Sequence, residues 1–77
     1  MNDTQVNLLL TIIADTGEED QEIVFTNTFN EDLGFDSLDN AELLMNIESA
    51  FKIELSDKEW DGVGTVRDCV NLIADRV

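Results

Sequence analysis

The stretch Asp32-Leu33-Gly34-Phe35-Asp36-Ser37-Leu38 predicts a loop that turns tightly and then enters a helix. Gly34 permits a backbone turn that a side chain would resist. Asp36 and Ser37 are residue types that cap helices, because their side-chain oxygens accept hydrogen bonds from free backbone N–H groups. Ser37 therefore reaches the positive end of a helix, which is a favourable place for an anionic group. On spacing alone, a simple capping role for Ser37 is the stronger interpretation.

The composition argues against an independent enzyme. The chain has 77 residues, which is enough for one domain spanning 1–77 with a small core. It contains no histidine, so neither a Ser-His-Asp nor a Cys-His catalytic arrangement can form. Cys69 is the single cysteine, which excludes an internal disulfide and leaves no Cys/His cluster for zinc. We therefore expect no catalytic residue and no metal site.

The charge balance indicates which partners suit the chain. It has 18 acidic residues against 4 basic ones, for a net charge of −14. Nucleic acid and anionic membrane surfaces are poor partners, because binding to phosphate requires Lys and Arg. A basic patch on another protein is a favourable partner, although the charge could equally serve solubility alone. No apolar run reaches transmembrane length, and Asn2-Asp3-Thr4 lacks the basic start of a secretory signal. We expect a cytoplasmic monomer that does not insert into membranes.

Apolar residues at helical spacing predict an all-α fold with four helices. The predicted helices are about Asp3–Asp15, Ser37–Phe51, Asp57–Asp61, and a last one that follows the Thr65 cap and ends near Arg76. Ser56 with Glu59, and Thr65 with Asp68, match the spacing of a capping box. The long connection over residues 17–35 has no helical period. Its apolar run at 23–25 has no partner strand, so we reject a strand there.

The second predicted helix has two apolar faces. The first is expected to face the core and contains Leu43, Leu44, Ile47 and Phe51. The second is bordered by acidic residues and contains Leu38, Ala41 and Met45. Spacing alone favours burial of the second face as well, since apolar stripes usually lie in a core. Trp60 and Cys69 are also expected to fill the core.

A longer run of the sequence resembles a known attachment motif. Asp32-Leu33-Gly34-Phe35-Asp36-Ser37-Leu38-Asp39, continued by Glu42-Leu43-Leu44-Met45, is similar to the motif of acyl carrier proteins. The resemblance covers nearly the whole chain. It implies a small four-helix bundle of three main helices plus one short helix. It also implies a long first loop that packs on the bundle, and we expect the anchors of this loop to be Ile23, Phe29 and Leu33.

The same resemblance implies a cofactor and its attachment point. Ser37 would carry 4′-phosphopantetheine, transferred from coenzyme A by a separate phosphopantetheinyl transferase (holo-ACP synthase). The motif residues that flank it are Gly34, Asp36, Leu38 and Asp39. Further partners would be acyl-transferring and ketosynthase-type enzymes with basic docking patches. These enzymes would recognise the surface of this chain formed by Leu38, Ala41, Glu42, Met45 and Glu48. An acyl chain would be sheltered in the core by Phe29, Ile47, Leu55, Val63 and Val66.

The function expected from this resemblance is carriage of acyl groups as thioesters in fatty-acid, polyketide or related lipid synthesis. One alternative is a carrier of aminoacyl groups. A peptidyl carrier is disfavoured because such carriers typically have Gly-Gly-His-Ser or Gly-Gly-Asp-Ser, whereas this chain has Gly-Phe-Asp-Ser. A D-alanyl carrier is disfavoured because such carriers usually have Phe after the serine, where this chain has Leu38. Another alternative is an unmodified acidic helical module that binds one partner. Phe35, Ala41, Ser56 and Trp60 depart from the common family pattern.

Overall fold

The computed structural model describes residues 1–17 and 22–77. Within these ranges the chain forms four helices: α1 (Asp3–Thr16), α2 (Ser37–Phe51), α3 (Asp57–Asp61) and α4 (Val66–Ala74). No strand occurs in the described residues, where pairing is limited to an isolated antiparallel bridge between Thr28 and Thr65. The all-α prediction is confirmed, and so are the predicted bounds of α2 and α3. Residues 18–21, the acidic start of the long loop, lie outside the described residues.

The beginnings of α1, α3 and α4 follow from side-chain caps. Asn2 caps α1, and Thr65 caps α4 in the predicted box with Asp68. The box predicted at α3 is only half formed. Ser56 accepts a hydrogen bond from the Glu59 N–H at 3.1 Å, but the Glu59 carboxylate pairs with Arg76 instead of turning back to the cap. A charged partner from the end of the chain thus replaces a local backbone donor.

The end of α4 differs from the prediction. The helix ends at Ala74, two residues before Arg76. The backbone N–H groups of Arg76 and Val77 both donate to the Ile73 carbonyl, at 2.9 and 3.1 Å, so the chain closes in a turn. Val77 therefore lies beyond the helix, and its side chain is 48% exposed.

The core is built from one apolar stripe on each long helix. Its fully buried side chains are Leu9 and Ile13 from α1, Leu43 and Ile47 from α2, and Val66, Cys69 and Ile73 from α4. The predicted loop anchors Phe29 and Leu33 are buried against this cluster, and Ile23 packs on it while partly exposed. Trp60 is buried in the same cluster, as predicted from sequence.

The long loop is fixed by hydrogen bonds to the start of α4. The N–H groups of Val66 and Arg67 have no partner within their own helix, as expected for a first turn. They donate to the carbonyls of Asn27 and Phe25, each at 2.9 Å. Phe25 is the last residue of the apolar run at 23–25, which thus contributes one of the two acceptors without forming a strand. The loop therefore closes one side of the bundle and leads into the segment before α2.

Candidate functional site

The segment that precedes Ser37 is held by two aromatic rings. Gly34 has a φ of 70°, in the left-handed region that favours glycine. The turn that it makes brings Phe35 into the core, where its ring centroid lies 5.6 Å from that of Phe29. The Phe35 N–H also donates to the Phe29 carbonyl at 2.7 Å. A Cβ on Gly17 would lie 3.3 Å from the Phe35 ring, so this glycine lets the ring pack closely against the end of α1.

Asp36, not Ser37, caps α2. The Asp36 carboxylate accepts a hydrogen bond from the Asp39 N–H at 2.9 Å, and the Asp39 carboxylate accepts one from the Asp36 N–H at 3.2 Å. The Asp36 carbonyl also accepts from both nitrogens of Asn40, at 3.0 and 2.9 Å. The capping role favoured for Ser37 from spacing alone is therefore wrong, because the side chain that accepts a hydrogen bond from the first turn belongs to its neighbour Asp36.

Ser37 is the first residue of α2 and is exposed. Within residues 1–17 and 22–77, its hydroxyl makes no hydrogen bond to another side chain or backbone group, and the N–H groups of Ser37 and Leu38 find no acceptor. The first N–H groups of a helix are donors without an intrahelical partner, and they carry the positive end of the helix dipole. This arrangement can hold a phosphate bonded to the serine oxygen.

A groove between α2 and α3 opens beside Ser37. It has a volume of about 430 Å³, and its lining residues are Ser37, Asn40, Ala41, Leu44, Asp57, Trp60 and Asp61. We call it the α2–α3 groove. A smaller groove of about 220 Å³ follows the loop before α2 and reaches Asp39. Despite the acidic residues around it, no group of three or more His, Cys, Asp or Glu in the described parts of the chain is placed to hold a metal ion.

Comparison with known proteins decides what this arrangement is. Residues 7–73 match the sequence model of the phosphopantetheine attachment site family. The chain belongs to this family. A solved structure from Mycobacterium tuberculosis, a protein with a provisional assignment as an acyl carrier protein, superposes with a TM-score of 0.86 and is 27% identical to this chain. The match covers 91% of this chain and 95% of the other.

Family and fold identify a carrier protein with a covalently bound 4′-phosphopantetheine. Such a carrier is a substrate of phosphopantetheinyl transferase and of acyl-handling enzymes in general. The residues present fit the cofactor, because an exposed serine hydroxyl stands beside unpaired backbone donors at a helix N-terminus.

Among the described residues, no helix is long and apolar enough to span a bilayer.

The second apolar face of α2 lies on the surface of the carrier. Leu38 is 76% exposed and Met45 68% exposed, while Ala41 and Glu42 are exposed between them. The burial that spacing alone favoured for this face is wrong. Glu48 is arranged differently, since its carboxylate accepts a hydrogen bond from the Leu55 N–H at 3.0 Å and so holds the connection between α2 and α3.

The five residues expected to shelter an acyl chain lie together in the core. Ile47 and Val66 have no exposed surface, Phe29 and Leu55 are buried, and Val63 packs on them while partly exposed. None of the five lines either of the two grooves near Ser37. In the structure these side chains fill the space between the helices, and the open volume beside Ser37 is the α2–α3 groove.

Sequence reasoning missed two contributors to this region. Sequence reasoning assigned Phe35 no role beyond its departure from the family pattern, yet this residue is 4% exposed and packs the segment before Ser37 onto the core. The sequence does carry a signal for this burial, since Leu33 and Phe35 are two apolar residues on either side of Gly34. The lining of the α2–α3 groove by Asn40, Asp57 and Asp61 had no sequence signal, because it depends on how α3 lies against α2.

Proposed function

We propose that this protein carries acyl intermediates of fatty-acid, polyketide or related lipid synthesis, attached through Ser37. The hydroxyl oxygen of Ser37 would lose its proton and attack the phosphorus of coenzyme A next to pantetheine. A phosphodiester to 4′-phosphopantetheine would form as the pyrophosphate bond of coenzyme A breaks and 3′,5′-ADP leaves. When bound, the cofactor supplies a thiol that holds an acyl group as a thioester. The observation that carries the proposal is the position of Ser37, exposed at the first residue of α2 and relieved of capping by Asp36.

The protein's own groups favour a phosphodiester at this place. The unpaired N–H groups of Ser37 and Leu38 are donors for its oxygens, and the helix dipole adds a favourable field. Asp36 and Asp39 lie within the same turn, but each carboxylate already accepts a backbone hydrogen bond. The carboxylates therefore flank the serine and leave its hydroxyl accessible to a transferase.

The surface around Ser37 suits brief docking to several enzymes. Leu38 and Met45 supply exposed apolar area along α2, with Glu42 and Asp39 beside them. Met adapts to different partner surfaces because its side chain is unbranched and polarizable. Exposed ion pairs contribute only about 0–1 kcal/mol each, so a few of them give fast and reversible binding to a basic patch. We propose that the carrier works as a monomer in the cytoplasm, where coenzyme A and these enzymes act.

The test is modification by a broad-range phosphopantetheinyl transferase with coenzyme A and magnesium, followed by intact-mass measurement. We expect a mass gain of one phosphopantetheine on the natural sequence and none on Ser37→Ala. Ser49→Ala is the matched control, since Ser49 is another exposed serine of α2, and it should be modified normally. Failure of every such transferase to modify the natural sequence would overturn the proposal. Loading with amino acids but never with acyl groups would replace it by the aminoacyl alternative.

A further inference from the structure

An apolar depression lies between α1 and the long loop. Its lining residues are Leu10 of α1 and Ile23, Val24 and Phe25 of the loop, and its volume is about 230 Å³. Val24 is 42% exposed and Phe25 39% exposed, so the rim reaches solvent. None of the four residues lies on α2 or lines either groove near Ser37. We call this area the Phe25 depression.

The loop side of the Phe25 depression is fixed by hydrogen bonds. Val24 and Asn27 close a turn, in which the Asn27 N–H donates to the Val24 carbonyl at 3.1 Å. The Asn27 side-chain oxygen accepts from the Val24 N–H at 2.9 Å. The Phe25 carbonyl accepts from the Arg67 N–H, which ties the same turn to α4. The depression is therefore formed before any partner arrives, which lowers the entropic cost of binding.

The guanidinium group of Arg67 lies beside this depression. Its central carbon is 5.7 Å from the centroid of the Phe25 ring. In the described part of the chain, the Arg67 side chain forms no ion pair and no hydrogen bond. The next residue, Asp68, does not neutralise it, because that carboxylate accepts hydrogen bonds from the N–H groups of Gly64 and Thr65. Arg67 therefore presents a positive charge and several N–H donors at the rim of an apolar surface.

We propose that the Phe25 depression binds a segment of another protein that inserts one large apolar side chain and places one carboxylate beside Arg67. This surface is separate from Ser37, so the inference goes beyond the proposed function. Charge complementarity supports the carboxylate, since a guanidinium group pairs with it through two parallel hydrogen bonds. The net charge of −14, and the exposed Glu22 beside Ile23, oppose an acidic run. A single carboxylate next to an apolar residue is the chemistry that fits.

The size of the depression favours a protein segment over a small molecule. Small-molecule sites have volumes of about 300–1,000 Å³ and enclose most of the ligand. The Phe25 depression is smaller, at about 230 Å³, and has an exposed rim, so it suits one inserted side chain. Aromatic residues and Arg are also enriched at protein interfaces. A second copy of this chain is a poorer occupant, because each copy carries a net charge of −14.

The experiment titrates the full chain with short blocked peptides and follows its proton–nitrogen NMR spectrum. The probe is acetyl-Gly-Leu-Asp-Gly-amide, and two matched control peptides replace its Asp by Asn or its Leu by Ala. We expect the probe to shift the backbone resonances of Ile23, Val24 and Phe25 and the side-chain N–H of Arg67, with a dissociation constant of about 1–10 mM. Each control peptide should bind about fivefold more weakly, because it lacks either the ion pair or the apolar contact.

Two variants with the same net charge separate the site from the overall charge. Arg67→Gln should weaken binding of the Asp peptide about fivefold and leave binding of the Asn peptide unchanged. Lys58→Gln removes an exposed positive charge from α3 and should change neither. Equal binding of the two peptides, or equal losses in the two variants, would overturn the inference.

Two further outcomes would also overturn it. One is the absence of shifts at the Phe25 depression up to the solubility limit of the probe. The other is shifts there that follow protein concentration without peptide, which would assign the depression to a second copy of this chain. The titration uses the unmodified protein, so a failure of the proposed function would be seen separately, as absence of transferase modification at Ser37.

Discussion

Asp36 and Asp39 accept hydrogen bonds from each other's backbone N–H groups across the first turn of α2, at 2.9 and 3.2 Å. These two residues thereby form the cap of α2, and Ser37, which lies between them, takes no part in it. The phosphodiester proposed at Ser37 could then form without loss of the cap. This separation of roles makes the first position of α2 compatible with the proposed modification.

The hydrogen bond that Asp36 accepts at the start of α2 can be tested separately from its negative charge. Asp36→Ala should lower the free energy of unfolding by about 1 kcal/mol, because the Asp39 N–H loses its acceptor. Asp36→Asn should retain most of that stability, since the amide oxygen of Asn caps equally well. Urea unfolding of the two variants measures the difference. An Asn variant as unstable as the Ala variant would mean that the charge on Asp36, and not its hydrogen bond, stabilises the turn.

The exposed apolar face of α2 should matter for partners and not for stability. Replacing both Leu38 and Met45 by Ala should lower kcat/KM of the transferase about tenfold, the equivalent of about 1.4 kcal/mol of lost contact. The free energy of unfolding should change by less than about 0.5 kcal/mol, because both side chains already face solvent.

Leu8→Ala is the control for this face. Leu8 is also an exposed leucine, at 42%, but it lies on α1. Its replacement should leave the transferase rate unchanged. Equal slowing by both sets of substitutions would show that general surface hydrophobicity is recognised, and not the face that contains Leu38 and Met45.

Local signals predicted the helices well because most caps are local. Thr65 and Asp68 satisfy each other within one turn, and the sequence spacing shows this directly. The predictions failed where a partner comes from elsewhere in the chain. Glu59 matches a capping box, but Arg76, 17 residues away, takes its carboxylate. Such contacts depend on how α3 packs against the end of α4, and the periodicity of the sequence does not predict that packing.

The attachment motif itself shows a second limit. Asp36 and Ser37 are both good capping residues, so residue type cannot say which of them caps α2. Only the backbone bonds assign the cap to Asp36 and release Ser37. Spacing also fails for Leu38 and Met45, because it favoured burial and both are exposed. Their exposure was expected only from the family resemblance.

Phe35 should be a major contributor to stability. Phe35→Ala should lower the free energy of unfolding by about 3–5 kcal/mol, because it removes a ring that is 4% exposed and leaves a cavity beside Phe29. Phe25→Ala is matched in chemistry but not in burial, since Phe25 is 39% exposed. It should cost about 1 kcal/mol, chiefly its contact with Arg67. Thermal and urea unfolding compare the two, and similar losses would contradict the buried position of Phe35.

Cys69 should be chemically inert while the chain is folded. Burial raises the pKa of its thiol to about 12, so almost no reactive thiolate exists near neutral pH. A coloured disulfide reagent at pH 8 should label the protein only at the rate of unfolding, and should label it at once in concentrated urea. The Ser37→Cys variant is the positive control, because its new thiol lies at an exposed position. Rapid labelling of the natural sequence would contradict the burial of Cys69.

Asp68 should make the start of α4 sensitive to acid. Hydrogen bonds from the backbone N–H groups of Gly64 and Thr65 lower the pKa of its carboxyl in the folded state. A lowered folded-state pKa gives stability that is fully present above the unfolded value of about 3.9 and is lost as pH falls through the folded value. At neutral pH the natural sequence should therefore be more stable than Asp68→Asn, and the difference should shrink below about pH 4. Urea unfolding across this range, at constant salt, measures it. A difference that stays constant down to about pH 2 would mean that the shape of the side chain, and not its charge, holds the cap.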